Sequence, residues 1–250
     1  MTYKKNFLSK VVLRFDYAAV PALLADKKTP FSDAIKERFP SVNAVQASQF
    51  QFMFGPTGSG FEQKARGWVW THATANGKRT VTLSADSLAV EVGAEEYVDF
   101  TEFRTWVEYI LGPFHQHVGV TEYTRIGLRY INEIDLGAGN PLDWQGIVAQ
   151  HLRESVQAGL PNDLQMTRSM HQLAAVTGDL SVLFNYGINN PDFPSPVARR
   201  LFVLDYDVFM AGGIPAAEAV ARVTSMNSLC ERMFEASIEN GLREQMELIQ

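Results

Sequence analysis

The chain has a single cysteine, Cys230, among its 250 residues. That excludes an intrachain disulfide and any metal site built from several cysteines, and it suits a reducing compartment. No apolar run approaches the roughly 18 residues a membrane-crossing helix needs. The opening MTYKKNFLSKVVLRFDY has neither the apolar centre nor the small-residue cleavage site of a signal peptide. A cytoplasmic protein without membrane association is expected. Positive charge is also in short supply. The 28 acidic and 22 basic residues leave a net charge of -6 and a pI near 5.4, so no general attraction to nucleic acid or anionic lipid is built in. The basic residues are scattered, the nearest clusters being Lys4-Lys5 with Lys10, Lys27-Lys28 and Arg199-Arg200. Trp68, Trp70, Trp106 and Trp144 each sit in an apolar periodic run, which assigns them to a core rather than to stacking on bases. Nucleic acid is therefore not an expected partner.

Motifs that carry chemistry are missing as well. There is no HExxH and no GxSxG. His115 and His117 are two residues apart, whereas helical metal pairs sit at i and i+4, and His72, His151 and His171 have no acidic cluster beside them. No metal and no cofactor is expected. Cys230 falls among Met226, Leu229, Met233, Phe234 and Ile238, the spacing of a buried helical stripe, which makes it a small hydrophobe rather than an activated thiol. A Ser-His-Asp arrangement assembled only in space leaves no sequence signature, so catalysis is unfavoured without being ruled out.

The glycine-rich stretch QFMFGPTGSGFEQ at 51–63 resembles the start of a phosphate-binding loop. Gly55 and Gly60 fit the GxxxxGK[ST] frame, but Phe61 stands where the lysine belongs and Glu62 where the hydroxyl belongs, which would set an anion against a phosphate. The segment after it, Gly67 to Thr74, has strand character, so no helix start faces the loop. A connection between antiparallel strands is the expectation.

With 46% hydrophobic and 20% charged residues, the chain has ample material for a core. Phe7 to Tyr17 alternates with Val11, Leu13, Phe15 and Tyr17 on one face, the period of a half-buried strand. Phe31, Ala34, Ile35 and Phe39 recur at helical spacing behind Ser32 and Asp33 and ahead of Pro40. Strands are predicted at Asn43 to Phe54, Gly67 to Thr74, Arg79 to Ser84 and Ser87 to Val92, with Asn76-Gly77 making a tight hairpin. Asp99 and Glu102 cap a helix carrying Phe103, Val107, Ile110, Leu111 and Phe114, which Gly112-Pro113 should kink or end. Thr124 to Leu136 is the longest alternating run and should be a central strand. Asp143 is placed to cap a helix through about Val156, strands follow at Met166 to Val176 and Leu180 to Tyr186, and Asn189 to Pro196 is a proline-rich loop. Leu201 to Met210 is the last predicted strand, and Pro215 opens a helical tail to Leu248 that Asn240-Gly241 interrupts. The pattern is α+β: one domain with a large, mainly antiparallel sheet, helices packed on one face and a long C-terminal helical segment. Two related lobes, 1–137 and 138–250, are a subdivision compatible with it.

Three strands, KVVLRFDY at 10–17, RIGLRYINEID at 125–135 and LFVLDYDVF at 201–209, set charges opposite their large apolar residues. Arg14 with Asp16, Arg129 with Glu133, and Asp205 with Asp207 would line one surface. Two readings are available: a solvated face whose ion pairs are individually weak, or a polar groove in which rigidly held arginines take a carboxylate or phosphate. The neighbouring acids count against a strong anion site, and the aspartates lack the further oxygen ligands a divalent cation needs.

At these same residues a resemblance emerges. RIGLRYINEI, LFVLDYDVF and FEASIENGLREQM, with the early VVLRF and the RFP that ends the first helix, resemble a sporadically distributed prokaryotic family of uncharacterised proteins of about this length. The resemblance spans nearly the whole chain and brings no activity, cofactor or catalytic residue with it. It implies an accessory gene, of the kind found in defence or toxin-antitoxin loci. The leading expectation is a non-enzymatic interaction protein that binds a protein partner, or itself as a dimer, through an exposed sheet edge or the methionine-bearing C-terminal helix. The alternative is a small-ligand or nucleotide-binding protein, an enzyme among the options, using Arg14, Arg129, Glu133, Asp205 and Asp207.

Overall fold

The computed structural model describes residues 2–25, 29–55, 58–156, 159–161 and 163–249, with the backbone alone described at 2, 25, 47–55, 58–66 and 248–249. The strands are β1 (Thr2–Tyr3), β2 (Leu8–Asp16), β3 (Ser41–Gly55), β4 (Gly58–Ala73), β5 (Arg79–Leu83), β6 (Ser87–Gly93), β7 (Glu122–Asp135), β8 (Ser169–Thr177), β9 (Leu180–Ile188), β10 (Leu201–Pro215) and β11 (Leu248–Ile249). The helices are α1 (Ala22–Ala25), α2 (Pro30–Ala34), α3 (Phe100–Val118), α4 (Gln150–Val156), α5 (Ala219–Ser237) and α6 (Asn240–Met246). Nine strands form an antiparallel sheet in the order β3-β4-β5-β6-β2-β7-β10-β9-β8, and β1 pairs with β11 in a separate two-stranded sheet. The α+β expectation is met. Among the described residues no helix is long and apolar enough to cross a membrane.

The chain packs as two compact units: one of residues 1–11, 127–210 and 223–250, the other of 12–126 and 211–222. In the second unit, alternation buries Leu13 and Phe15 of β2 and Tyr17 just after it. The Asn76-Gly77 hairpin forms as predicted, with Gly77 at a φ of 71° joining β4 to β5. The glycine-rich stretch lies at the tip of the β3–β4 hairpin, where Gly55 pairs with Gly58. Residues 56 and 57 of that stretch lie outside the described residues. It joins two antiparallel strands, and β4, not a helix, follows it.

Helix α3 starts as expected, the Asp99 carboxylate accepting the Glu102 amide at 2.7 Å. It does not end at Gly112-Pro113 but runs to Val118 and closes on Gly119 at a φ of 78°. The reason is packing. Ile110, Leu111 and Phe114 are buried on either side of the proline, and the Phe114 ring lies 5.4 Å from Tyr17, 6.0 Å from Phe31 and 6.5 Å from Tyr123. These contacts outweigh the one hydrogen bond that proline removes. Helix α2 is shorter than its periodicity suggested. Thr29, rather than Ser32 or Asp33, caps it by accepting the Phe31 amide, and the chain continues in turns that still bury Ile35 and Phe39.

Ser32 serves another purpose, with its hydroxyl 2.8 Å from Nε2 of the fully buried His72, whose Nδ1 faces the Val81 carbonyl at 3.1 Å. Burial lowers the pKa of His72, and that of His115 beside the Tyr123 hydroxyl, below the ordinary histidine value. A base whose folded pKa is depressed binds its proton more readily in the unfolded chain. Stability is therefore complete above about pH 6.5 and falls as the pH drops from there towards the folded pKa values. Urea titrations from pH 7.5 to 5 should show this loss, at most about 1.4 kcal/mol per pH unit for each histidine, and His72→Gln should flatten the slope.

In the first unit, the even-numbered residues of β7, β9 and β10 make the core face. Leu128, Tyr130 and Ile134, Val182, Phe184 and Tyr186, and Leu204, Tyr206 and Val208 are all buried. Helix α5 lies on that face, Asn227 accepting the Tyr130 hydroxyl at 2.8 Å, and α4 lies over β9 and β8, with the Ser155 hydroxyl 3.2 Å from that of Tyr186. The predicted helix from Asp143 is replaced by turns up to α4. Gly146 has a φ of 76°, which a continuing helix does not allow, and the buried Trp144 packs its ring 5.2 Å from Phe202. The C-terminal tail breaks at Ile238-Glu239, slightly before Asn240-Gly241, because Ile238 forms a β-bridge with Val148 and the Glu239 amide donates to the Ile147 carbonyl at 2.9 Å. On the methionine-bearing stripe of α5, Met226, Leu229 and Cys230 are buried and Met233 and Phe234 half-buried.

Candidate functional site

The odd-numbered residues of β7, β9 and β10 face away from the helices of the first unit. A row of polar side chains crosses four strands there. The Gln172 amide on β8 donates to Asn185 on β9 at 2.8 Å, and Asn185 donates to Asp205 on β10 at 3.2 Å. Asp205 in turn accepts Nε and Nη2 of Arg129 on β7, each at 2.7 Å. This bidentate fork is the strongest geometry available to the pair. It raises the Arg129 pKa above its ordinary value, chiefly through those hydrogen bonds and secondarily through the fields of Asp205 and Asp207. The Asp205 side chain is only 8% exposed, against 45% for Arg129.

Arg129 and Asp205 are thus brought together, opposite charges meeting across neighbouring strands. Asp207 lies two residues along β10 from Asp205, opposite Leu183, and contributes to the field at Arg129. Glu133 is exposed on β7, while the Arg129 guanidinium turns to Asp205 on the adjacent strand instead. Arg14 belongs to the second unit, where its Nε donates to Asp16 at 2.7 Å, and Arg125 approaches the same carboxylate at 3.8 Å. With two guanidinium donors committed to a carboxylate, the Arg129 face is occupied by its own chain.

Two concave sites lie elsewhere among the described residues. A cavity of about 490 Å³ is lined by Asn140, Leu142, Leu160, Leu164, Gln165 and Met166 among others, with no charged side chain among the described residues of its wall. One of about 330 Å³ lies at Gly146, Glu239 and Arg243. Neither includes a candidate residue. Among the described residues, no three His, Cys, Asp or Glu side chains are grouped to hold a metal. Burial also pushes the Cys230 thiol well above its ordinary pKa, so it is held as the unreactive thiol.

The feature that sequence reasoning did not single out is β8. It ends the nine-stranded sheet, with β9 as its one neighbour among the described strands. Although α4 packs over part of it, Met170 is 40%, Leu173 46% and Val176 79% exposed. Edge strands are usually protected by charge, proline or a bulge. SMHQLAAVT has neither Asp, Glu, Lys, Arg nor Pro, and its absence of charge was the available signal. The hairpin to β9 closes through the two-residue turn Gly178-Asp179, with Gly178 at a φ of 59°, and Thr177 pairs with Leu180. In such a turn the closing pair is hydrogen-bonded. The amides and carbonyls of the odd residues therefore point at β9, and those of Met170, Gln172, Ala174 and Val176 point outward. In comparisons with known proteins, no family model and no curated protein matches the chain.

Proposed function

We propose that this chain is a binding protein without catalytic activity, which takes up another polypeptide as an added strand on β8. The observation that carries this reading is the uncharged, nine-residue edge of β8 with its outward-facing amides and carbonyls. Main-chain hydrogen bonds supply affinity in such strand addition, and alternate side chains supply selectivity. The exposed Met170 and Val176 provide that second element. A role in an accessory locus, as the motif resemblance implies, fits a protein whose task is to hold a partner. The Arg129 face favours no ligand over the carboxylate it already holds.

Proline substitution tests the reading directly. Ala174→Pro removes an outward amide and should leave folding intact, whereas Ala175→Pro removes an amide bonded to β9 and should destabilise the fold. Association of the protein, with itself or with a partner, measured by native mass spectrometry and pull-down, should be lost in Ala174→Pro while its circular dichroism matches the parent. Unaltered association in a folded Ala174→Pro protein would refute strand addition.

A further inference from the structure

We infer that the strand added to β8 is the β8 strand of a second copy of this chain, antiparallel, with the two-fold axis passing through Leu173. This rests on the strand-addition reading and names its partner. In a regular antiparallel pair, hydrogen bonds connect residues whose backbone groups point at one another. Met170, Gln172, Ala174 and Val176 point outward, so the pairing must match members of this set. An axis at Leu173 matches Gln172 with Ala174 and Met170 with Val176, in both directions. It is the register that uses every outward-facing residue.

The side chains agree with this register. Met170 meets Val176, two exposed apolar residues, and Ser169 meets Thr177, two hydroxyls. His171 meets Ala175, a large side chain opposite a small one. At the axis Leu173 meets its own counterpart in a non-hydrogen-bonded position, where Cα atoms come within about 4.5 Å. Leu173 pairs with Phe184 on the helix-covered side of the sheet yet is 46% exposed, so the contact completes an apolar surface left unfinished by the edge. Charge decides between a copy and a foreign strand of opposite sign. The chain carries a net charge of -6, but β8 has no charged residue. Two copies can therefore approach here without like charges directly opposed, and the strand offers no charge to select a charged partner. A two-fold pairing of identical patches is also the commonest form of self-association.

Cysteine cross-linking reads the register. The native Cys230 is buried and does not compete. Leu173→Cys should form a disulfide with its own counterpart under mild oxidation, since the expected Cα separation lies within disulfide range. Met170→Cys alone should not, because the two copies of that residue would be roughly 20 Å apart at about 3.4 Å per residue. An equimolar mixture of Met170→Cys and Val176→Cys should cross-link. The unmodified chain at micromolar concentration should have twice the 27.9 kDa chain mass, falling to the single mass in Ala174→Pro. Self-cross-linking of Met170→Cys, or a parent protein with the single-chain mass, overturns the inference. If that monomer still captures a defined polypeptide and Ala174→Pro loses it, strand addition stands and the self-pairing does not.

Discussion

Phe114→Ala is expected to lower the stability of the second unit by about 3–5 kcal/mol, the range for a large aromatic removed from a core that cannot collapse around the gap. Phe114 is fully buried and its ring contacts Tyr17, Phe31 and Tyr123, which belong to three different elements or their flanks. It also anchors the part of α3 that follows Pro113. Removing the ring therefore opens a cavity and releases the restraint that keeps the helix continuous past its proline. At about 2–4 °C per kcal/mol for a chain of this size, the melting temperature should fall by about 6–20 °C. Hydrogen exchange should rise most at residues 114 to 118. A drop confined to a degree or two, with exchange unchanged there, would mean that α3 is held by its N-terminal half.

The second large effect concerns Arg129. Replacing it with alanine leaves the Asp205 carboxylate, 8% exposed, with the Asn185 amide as its remaining side-chain donor among the described residues. A buried charge deprived of its ion partner is costly, and partial access of water at the vacated arginine position reduces the penalty to about 2–3 kcal/mol. The converse change should cost less. Asp205→Ala leaves a guanidinium that is 45% exposed and can be hydrated, at about 1–2 kcal/mol for the lost hydrogen bonds. This asymmetry, with a coupling energy in the double-mutant cycle, is the mark of a structural pair. If Arg129→Ala were neutral in stability, the guanidinium would be available for a ligand and the structural account of this face would fail.

Much of the fold was legible because alternation is a local signal. The faces of β2, β7 and β10 followed from Val11 to Tyr17, Ile126 to Ile134 and Leu201 to Phe209, and the Asp99 cap and Asn76-Gly77 turn followed from side-chain chemistry within a few residues. What could not be seen depended on distant parts of the chain. Pro113 ends an isolated helix, but Phe31 and Tyr123 hold this one together. Asp143 was a plausible cap until Gly146 took a positive φ. The five charged candidates were correctly placed on strands, yet the partner of Arg129 is 76 positions away, and no spacing rule chooses Asp205 over Glu133. The position of β8 at an edge is likewise a property of strand order, which its own nine residues do not contain.

The pairing of β1 with β11 has a consequence for the order in which the polypeptide can assemble. Lys4 and Lys5 donate their amides to the Glu247 and Met246 carbonyls, and the Lys4 ammonium reaches the Glu247 carboxylate across a separation of 243 positions. During synthesis, Tyr3 therefore leaves the ribosome long before Leu248 exists to receive it. Of the described strands β1 emerges before the others yet is among the last to find its place, and the seam it forms can close only after translation has passed nearly every other residue described.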